Sequence, residues 1–223
     1  MENPFFSYYL IIIVFTLYFS ISYLFKLLKI NNLEKALQKQ HGLTLLNLRH
    51  IIGILLFGVT FLCFDTNYFA LLTSFHHYTL NVTLISLMLI ILTIVISRSS
   101  VLKTIAQYSS NDKHFLGNGV LYFTLRVIFL LSYELFFRGI LLITLIDVFG
   151  LISAIIINTL LYVIIHAFDT KSEIIGAIPF GVVLCLISYY SQSVILAFIL
   201  HLSLSLVYEI SLFNFFNRIK LQS

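Results

Sequence analysis

Seven apolar runs, most of them long enough to cross a bilayer, leave this chain of 223 residues few ways to fold. They lie at about 5–25, 50–64, 80–97, 118–147, 151–168, 173–190 and 193–213, and a helix needs about 20 residues to cross a hydrocarbon layer of about 30 Å. Backbone polar groups find no partner in lipid, so a spanning segment must be a helix or a strand of a closed barrel. Continuous apolar runs lack the alternation a barrel requires. The expectation is therefore an all-α, polytopic transmembrane helical bundle of about seven spans. A hydrophobic content of 60% with only 10% charged residues excludes a soluble domain, which would expose large apolar patches. The 50–64 run is short and needs its flanks, whereas the fourth is long enough to tilt or protrude.

Lys and Arg placement supplies an independent test, because short cytoplasmic loops carry the positive charge. Lys26, Lys29, Lys35, Lys39 and Arg49 lie between spans one and two, and Arg98, Lys103 and Lys113 between three and four. Lys171 follows span five; Arg218 and Lys220 follow span seven. The alternate segments, namely the N-terminus, 65–79, 148–150 and 191–192, contain no Lys or Arg. The N-terminus is thus expected outside and the C-terminus in the cytoplasm, with the first span retained, since it lacks a basic leader and a small-residue cleavage site. The net charge of +4 reflects this orientation and attraction to anionic headgroups, and gives no reason to propose a nucleic-acid partner. Membrane lipid is an expected partner.

Residues 1–223 read as a single membrane domain: a front half, about 1–97, with three spans, a polar cytoplasmic loop at 98–114, and a back half, about 115–213, with four. Residues 30–48 mix Leu with Lys and Gln as an interfacial or plain connecting helix would. Pro179 is expected to kink span six. Cys63 and Cys185 sit singly in different apolar runs and read as small core residues rather than a disulfide. His76 and His77 fall in an outside loop. The acceptor motif Asn81-Val-Thr83 lies at the edge of span three and is discounted in a chain expected in a bacterial plasma membrane.

Ionisable groups at membrane depth are costly unless paired, and mark functional sites by default. Glu134 and Arg138 are four apart on one face of span four, with Arg126 two turns earlier. Span five ends in Tyr162-Val-Ile-Ile-His166, and span seven carries His201-Leu-Ser-Leu-Ser205. Each feature alone also fits a structural polar contact between helices, and Glu173 at the start of span six also fits a helix cap. A carboxylate and an imidazole together can activate water, a second imidazole can steady an oxyanion, and an arginine can position the carboxylate. His166, His201 and Glu134 also make up a set of ligands for catalytic zinc, although no His-Glu-x-x-His spacing accompanies them.

Taken in order, Glu134-x-x-x-Arg138-Gly, Tyr162-x-x-x-His166 and His201-x-x-x-Ser205 resemble the CPBP (Abi) family of CAAX proteases and bacteriocin-processing enzymes over about 118–210. The resemblance implies an intramembrane glutamate-type protease that hydrolyses a peptide bond of a membrane-associated peptide or protein, with no cofactor. Glu134 and His166 would activate water, His201 and Ser205 would bind the oxyanion, Arg138 would position Glu134, and Glu173 would join the site. Tyr133, Tyr162 and Phe137 are candidates for the substrate pocket. Tyr133 occupies the place of the first Glu in the family's Glu-Glu-x-x-x-Arg, and Ser205 stands where Asn is usual. Some sequences similar to this family carry an aromatic before a single Glu, together with a Lys and a Glu after the first His, as Lys171 and Glu173 would be. A shift of one residue turns a helical side chain by about 100°, so Glu134 replaces its missing neighbour only if the helix is rotated there. Rise arithmetic places His201 about 10 Å nearer the outer face than His166. Two other readings remain: a non-catalytic descendant acting as a membrane immunity or scaffold protein, and a transporter.

Overall fold

A computed structural model describes residues 4–63, 78–108 and 115–222. His76, His77, Lys113 and most of the loop between spans two and three lie outside the described residues. Those described form helices without strands: α1 (Pro4–Leu27), α2 (Leu33–Leu37), α3 (Gly42–Leu62), α4 (Leu80–Ile105), α5 (Gly119–Glu134), α6 (Leu142–Phe149), α7 (Leu151–Ile165), α8 (Lys171–Ser191) and α9 (Val194–Gln222). A π-helical segment, Leu135–Leu141, joins α5 to α6, and a 3-10 turn, His166–Phe168, ends α7. Seven stretches are long and apolar enough to cross a membrane, the fourth being α5–π–α6. The protein is an integral membrane protein.

The second span begins at Gly42, so α3 absorbs the flank that the 50–64 run needed. Residues 30–48 are not one continuous helix. Only Leu33–Leu37 is a separate helix, capped by the Asn32 side chain on the Lys35 N–H. Its Leu33, Ala36 and Leu37 join Ile30, Leu43, Leu46, Tyr122, Leu212 and Phe216 in a core cluster, so the apolar face is spent inside the protein. The polar loop at 98–114 is also shorter than expected, because α4 runs on to Ile105 and carries Arg98 and Lys103 in its last turns. Residues 171–191 stay one helical run through Pro179.

The fourth span is the hub. It is 72% buried within the protein, against 17–44% for the other six. Every residue from Ser132 to Leu142 is buried, as expected of a helix that is enclosed on all sides. Around it α3 packs on α5, α9 on α4, α5 and α8, and α7 on α6 and α8. The α4 helix inverts the soluble pattern. Its Leu84, Met88, Ile91 and Val95 are exposed to the surroundings, while Ser86, Thr93 and Ser97 are buried. Thr93 shares a 2.7 Å hydrogen bond with Ser203, and Ser97 donates to the Leu204 carbonyl at 2.8 Å. Between helices in lipid, such polar contacts take the place of a hydrophobic driving force. Gly181 lets α8 approach α7: a β-carbon there would stand 3.1 Å from Thr159 Cγ2 and 3.2 Å from Tyr162 Cδ1.

Candidate active site

Glu134 is the last residue of α5 and is 0% exposed. Immediately after it the helix widens to the π form, which admits an extra residue and shifts the register of everything beyond; such insertions are frequent at functional sites. The Phe137 carbonyl, which accepts from the Leu142 N–H at the end of the π segment, also accepts a 2.7 Å hydrogen bond from Asn158 Nδ2 on α7, and Cys185 on α8 donates to Asn158 Oδ1. Cys63 and Cys185 are both free thiols.

The Glu134 carboxylate meets two cationic or potentially cationic groups. Its Oε1 lies 2.5 Å from His201 Nδ1, across 67 residues of sequence, and its Oε2 lies 3.4 Å from Arg138 Nε. The Arg138 guanidinium lies over the Tyr162 ring at 4.5 Å. Tyr162 is the centre of the cluster. His166 packs edge-on against it at 4.7 Å, His201 at 6.3 Å and Tyr133 at 6.0 Å. Tyr162, four residues before His166, thus has a ring contact with both histidines. Phe137 stacks on Tyr133 at 4.5 Å, and Phe180 packs edge-on against His201 at 5.7 Å.

His166 does not bond to Glu134. Its Nδ1 lies 2.8 Å from Asp169 Oδ2, a residue that sequence reasoning missed. The signal available was an acid three residues after the histidine, at the end of a helix. Burial alone would raise the Asp169 carboxyl, but the hydrogen bond from His166 and the charges of His166, Arg49 and Arg126 outweigh it and hold the group below the ordinary carboxylate value.

Several buried polar atoms in this cluster have no hydrogen-bond partner among the described residues: Glu134 Oε2, His166 Nε2, the Tyr133 hydroxyl and the Arg138 guanidinium nitrogens. Orphaned groups are uncommon in protein interiors and call for an explanation. Here they gather around one aromatic ring.

Two of the expected site residues are engaged elsewhere. Glu173 closes a capping box at the start of α8, its carboxylate accepting from the Thr170 N–H at 2.7 Å. Ser205, a turn beyond His201, accepts from Arg126 Nη2 at 2.6 Å. Arg126 also forms an ion pair with Glu209 at 2.8 Å, and the Tyr122 hydroxyl donates to the same carboxylate at 2.9 Å. This second cluster was not foreseen, although Glu209 is an acid within span seven, available to balance Arg126. Among the described residues no group of three His, Cys, Asp or Glu side chains is placed to hold a metal ion. Zinc on His166, His201 and Glu134 would have to displace the contact between His201 and Glu134.

Residues 116–207 match the family described as Type II CAAX prenyl endopeptidase Rce1-like. This segment of the back half is thus similar to proteases of the CAAX type. No curated protein and no solved structure matches the chain. The matched segment carries Glu134, Arg138, Tyr162, His166 and His201, close to the 118–210 read from the motifs. Glu209 lies beyond the matched segment, and α1–α4 precede it.

Proposed function

We propose that this protein is an intramembrane endopeptidase that hydrolyses a peptide bond of a membrane-associated peptide or protein, without a covalent intermediate or a metal cofactor. The observation that carries this reading is the set of unpartnered polar atoms around Tyr162, beside a Glu134 carboxylate already oriented by His201. Glu134 Oε2, in an ion pair with Arg138 but without a hydrogen bond among the described residues, and His166 Nε2 each keep a lone pair for a water. The water oxygen adds to the scissile carbonyl as its proton leaves to this pair. With Glu134 ionised and His201 carrying both ring protons, the His201 Nε2–H donates to the oxyanion. Glu134, Arg138 and His201 then sum to one positive charge, which the oxyanion neutralises. Collapse of the tetrahedral species breaks the C–N bond as the proton passes to the leaving nitrogen. Tyr133, Phe137 and Tyr162 wall the pocket. Ser205 contributes through Arg126 rather than as a free donor, and Glu173 orders the helix that follows His166.

The proposed setting is a bacterial plasma membrane with the N-terminus outside and the C-terminus cytoplasmic, lipid and the substrate peptide being the partners. The family's description makes prenylated tails the first substrates to test, with leader and bacteriocin peptides next. Protein reconstituted in proteoliposomes is offered a fluorogenic farnesylated peptide and an unprenylated leader peptide. Glu134→Gln is expected to lower turnover by about 10²–10⁴-fold. A folded Glu134→Gln protein that cleaves as fast as wild type eliminates the mechanism.

One observation favours a second reading, a degenerate member serving as a membrane immunity or scaffold protein: Glu134 is wholly enclosed, and Ser205 is held by Arg126 and Glu209 as part of an interhelical network. On that reading His201→Ala lowers stability while biological protection survives. Loss of protection at normal protein abundance counts against it.

A further inference from the structure

We propose that Asp169 is the positioning residue that makes His166 the proton acceptor of this site, and that the front half of the chain holds the turn on which both stand. The catalytic consequence rests on the hydrolytic reading above; the geometry does not.

A carboxylate can only accept, so across the 2.8 Å contact His166 Nδ1 is the donor. A neutral imidazole with its proton on Nδ1 presents a lone pair at Nε2. That Nε2 is buried without a hydrogen-bond partner among the described residues, on a ring packed against Tyr162. Asp169 has no competing duty as a helix cap, because Thr170 and Glu173 cap α8 between them.

The turn is secured from outside the family-matched segment. Asn31, between α1 and α2, donates through Nδ2 to the Phe168 carbonyl at 2.8 Å. Asn31 is itself gripped by Lys35 Nζ on its side-chain oxygen and by Arg49 Nη1 on its backbone carbonyl. The Phe168 ring packs against Phe19 and Tyr23, with Lys26 Nζ 5.1 Å from its centre. The 3-10 turn carrying His166 is thereby clamped by two separate parts of the front half. The depressed Asp169 carboxyl keeps the hydrogen-bond acceptor ionised.

In the reaction the Nε2 lone pair takes one proton from water as the oxygen adds to the carbonyl carbon. Asp169 stabilises the resulting imidazolium, and the same proton later passes to the departing nitrogen.

The test is ¹⁵N magnetic resonance of histidine-labelled protein in lipid, with His166 assigned by comparison with His166→Gln, together with kinetics on any cleaved peptide. The wild type is expected to show neutral His166 protonated at Nδ1. Asp169→Asn is expected to lose that signal and to lower kcat at least about tenfold with KM changed by less than about twofold; Asp169→Glu should restore part of both. A neutral His166 protonated at Nε2 in the wild type overturns the proposal, whatever the activity and without recourse to a variant. So does an Asp169→Asn protein with unchanged tautomer and kcat. If the tautomer depends on Asp169 but no peptide is cleaved, the hydrolytic reading fails and the positioning role stands.

Discussion

Arg126 and Glu209 form an ion pair in the protein interior, where desolvation costs are high and removing one partner strands the other. Arg126→Met is expected to destabilise the protein by about 3–5 kcal/mol, measured by unfolding in detergent micelles, and adding Glu209→Leu is expected to recover most of the loss. A double variant as unstable as the single one would show that the cluster serves more than charge balance. At Asp169 the sign of the pH dependence follows from its depressed carboxyl. The stabilisation it gives the His166 turn is fully present above the ordinary carboxylate value of 3.8 and is lost as pH falls through the lower folded value. The protection of residues 166–170 against hydrogen exchange, relative to the intrinsic rate at each pH, is expected to fall only in that acidic range, and a loss of protection near neutrality would count against the assignment. Residue types alone distinguished neither role. Glu134–Arg138 was readable because its spacing is local, whereas Glu134–His201, Arg126–Glu209 and Arg126–Ser205 join residues 67 to 83 positions apart.

Helix existence was legible wherever hydropathy changed sharply, and helix ends were not. The second span begins at Gly42, ahead of its apolar run, and the third continues to Ile105, beyond its own. The inner face of α4 was also illegible: Ser86, Thr93 and Ser97 are too sparse within an apolar sequence to reveal which side faces the protein. Thr93→Val is expected to cost about 0.6 kcal/mol, seen as a small fall in unfolding midpoint. Gly181 is the more sensitive position, because α7 and α8 touch there beside Tyr162. Gly181→Val is expected to cost about 1–3 kcal/mol by overpacking and to lower activity further by moving the Tyr162 ring, so an unaltered kcat in a destabilised Gly181→Val protein would place Tyr162 outside the machinery.

For the molecule as a whole, the charge asymmetry of the loops predicts its orientation. In a chain with Cys63 and Cys185 replaced by Ala, a cysteine at Gln192 is expected to react with an impermeant thiol reagent from outside intact cells, and one at Lys171 only after lysis. The reverse pattern would invert the topology. Sequence alone determined that this protein is a bundle of seven apolar helices and where its embedded acid and bases fall, because bilayer thickness and the cost of unpaired backbone polar groups act on every residue by its chemistry. Only the tertiary structure decided which groups meet. The π segment after Glu134 resets the rotation of the central helix, and Asn31 clamps the turn behind His166. Both arise from packing between distant segments, which no local pattern encodes.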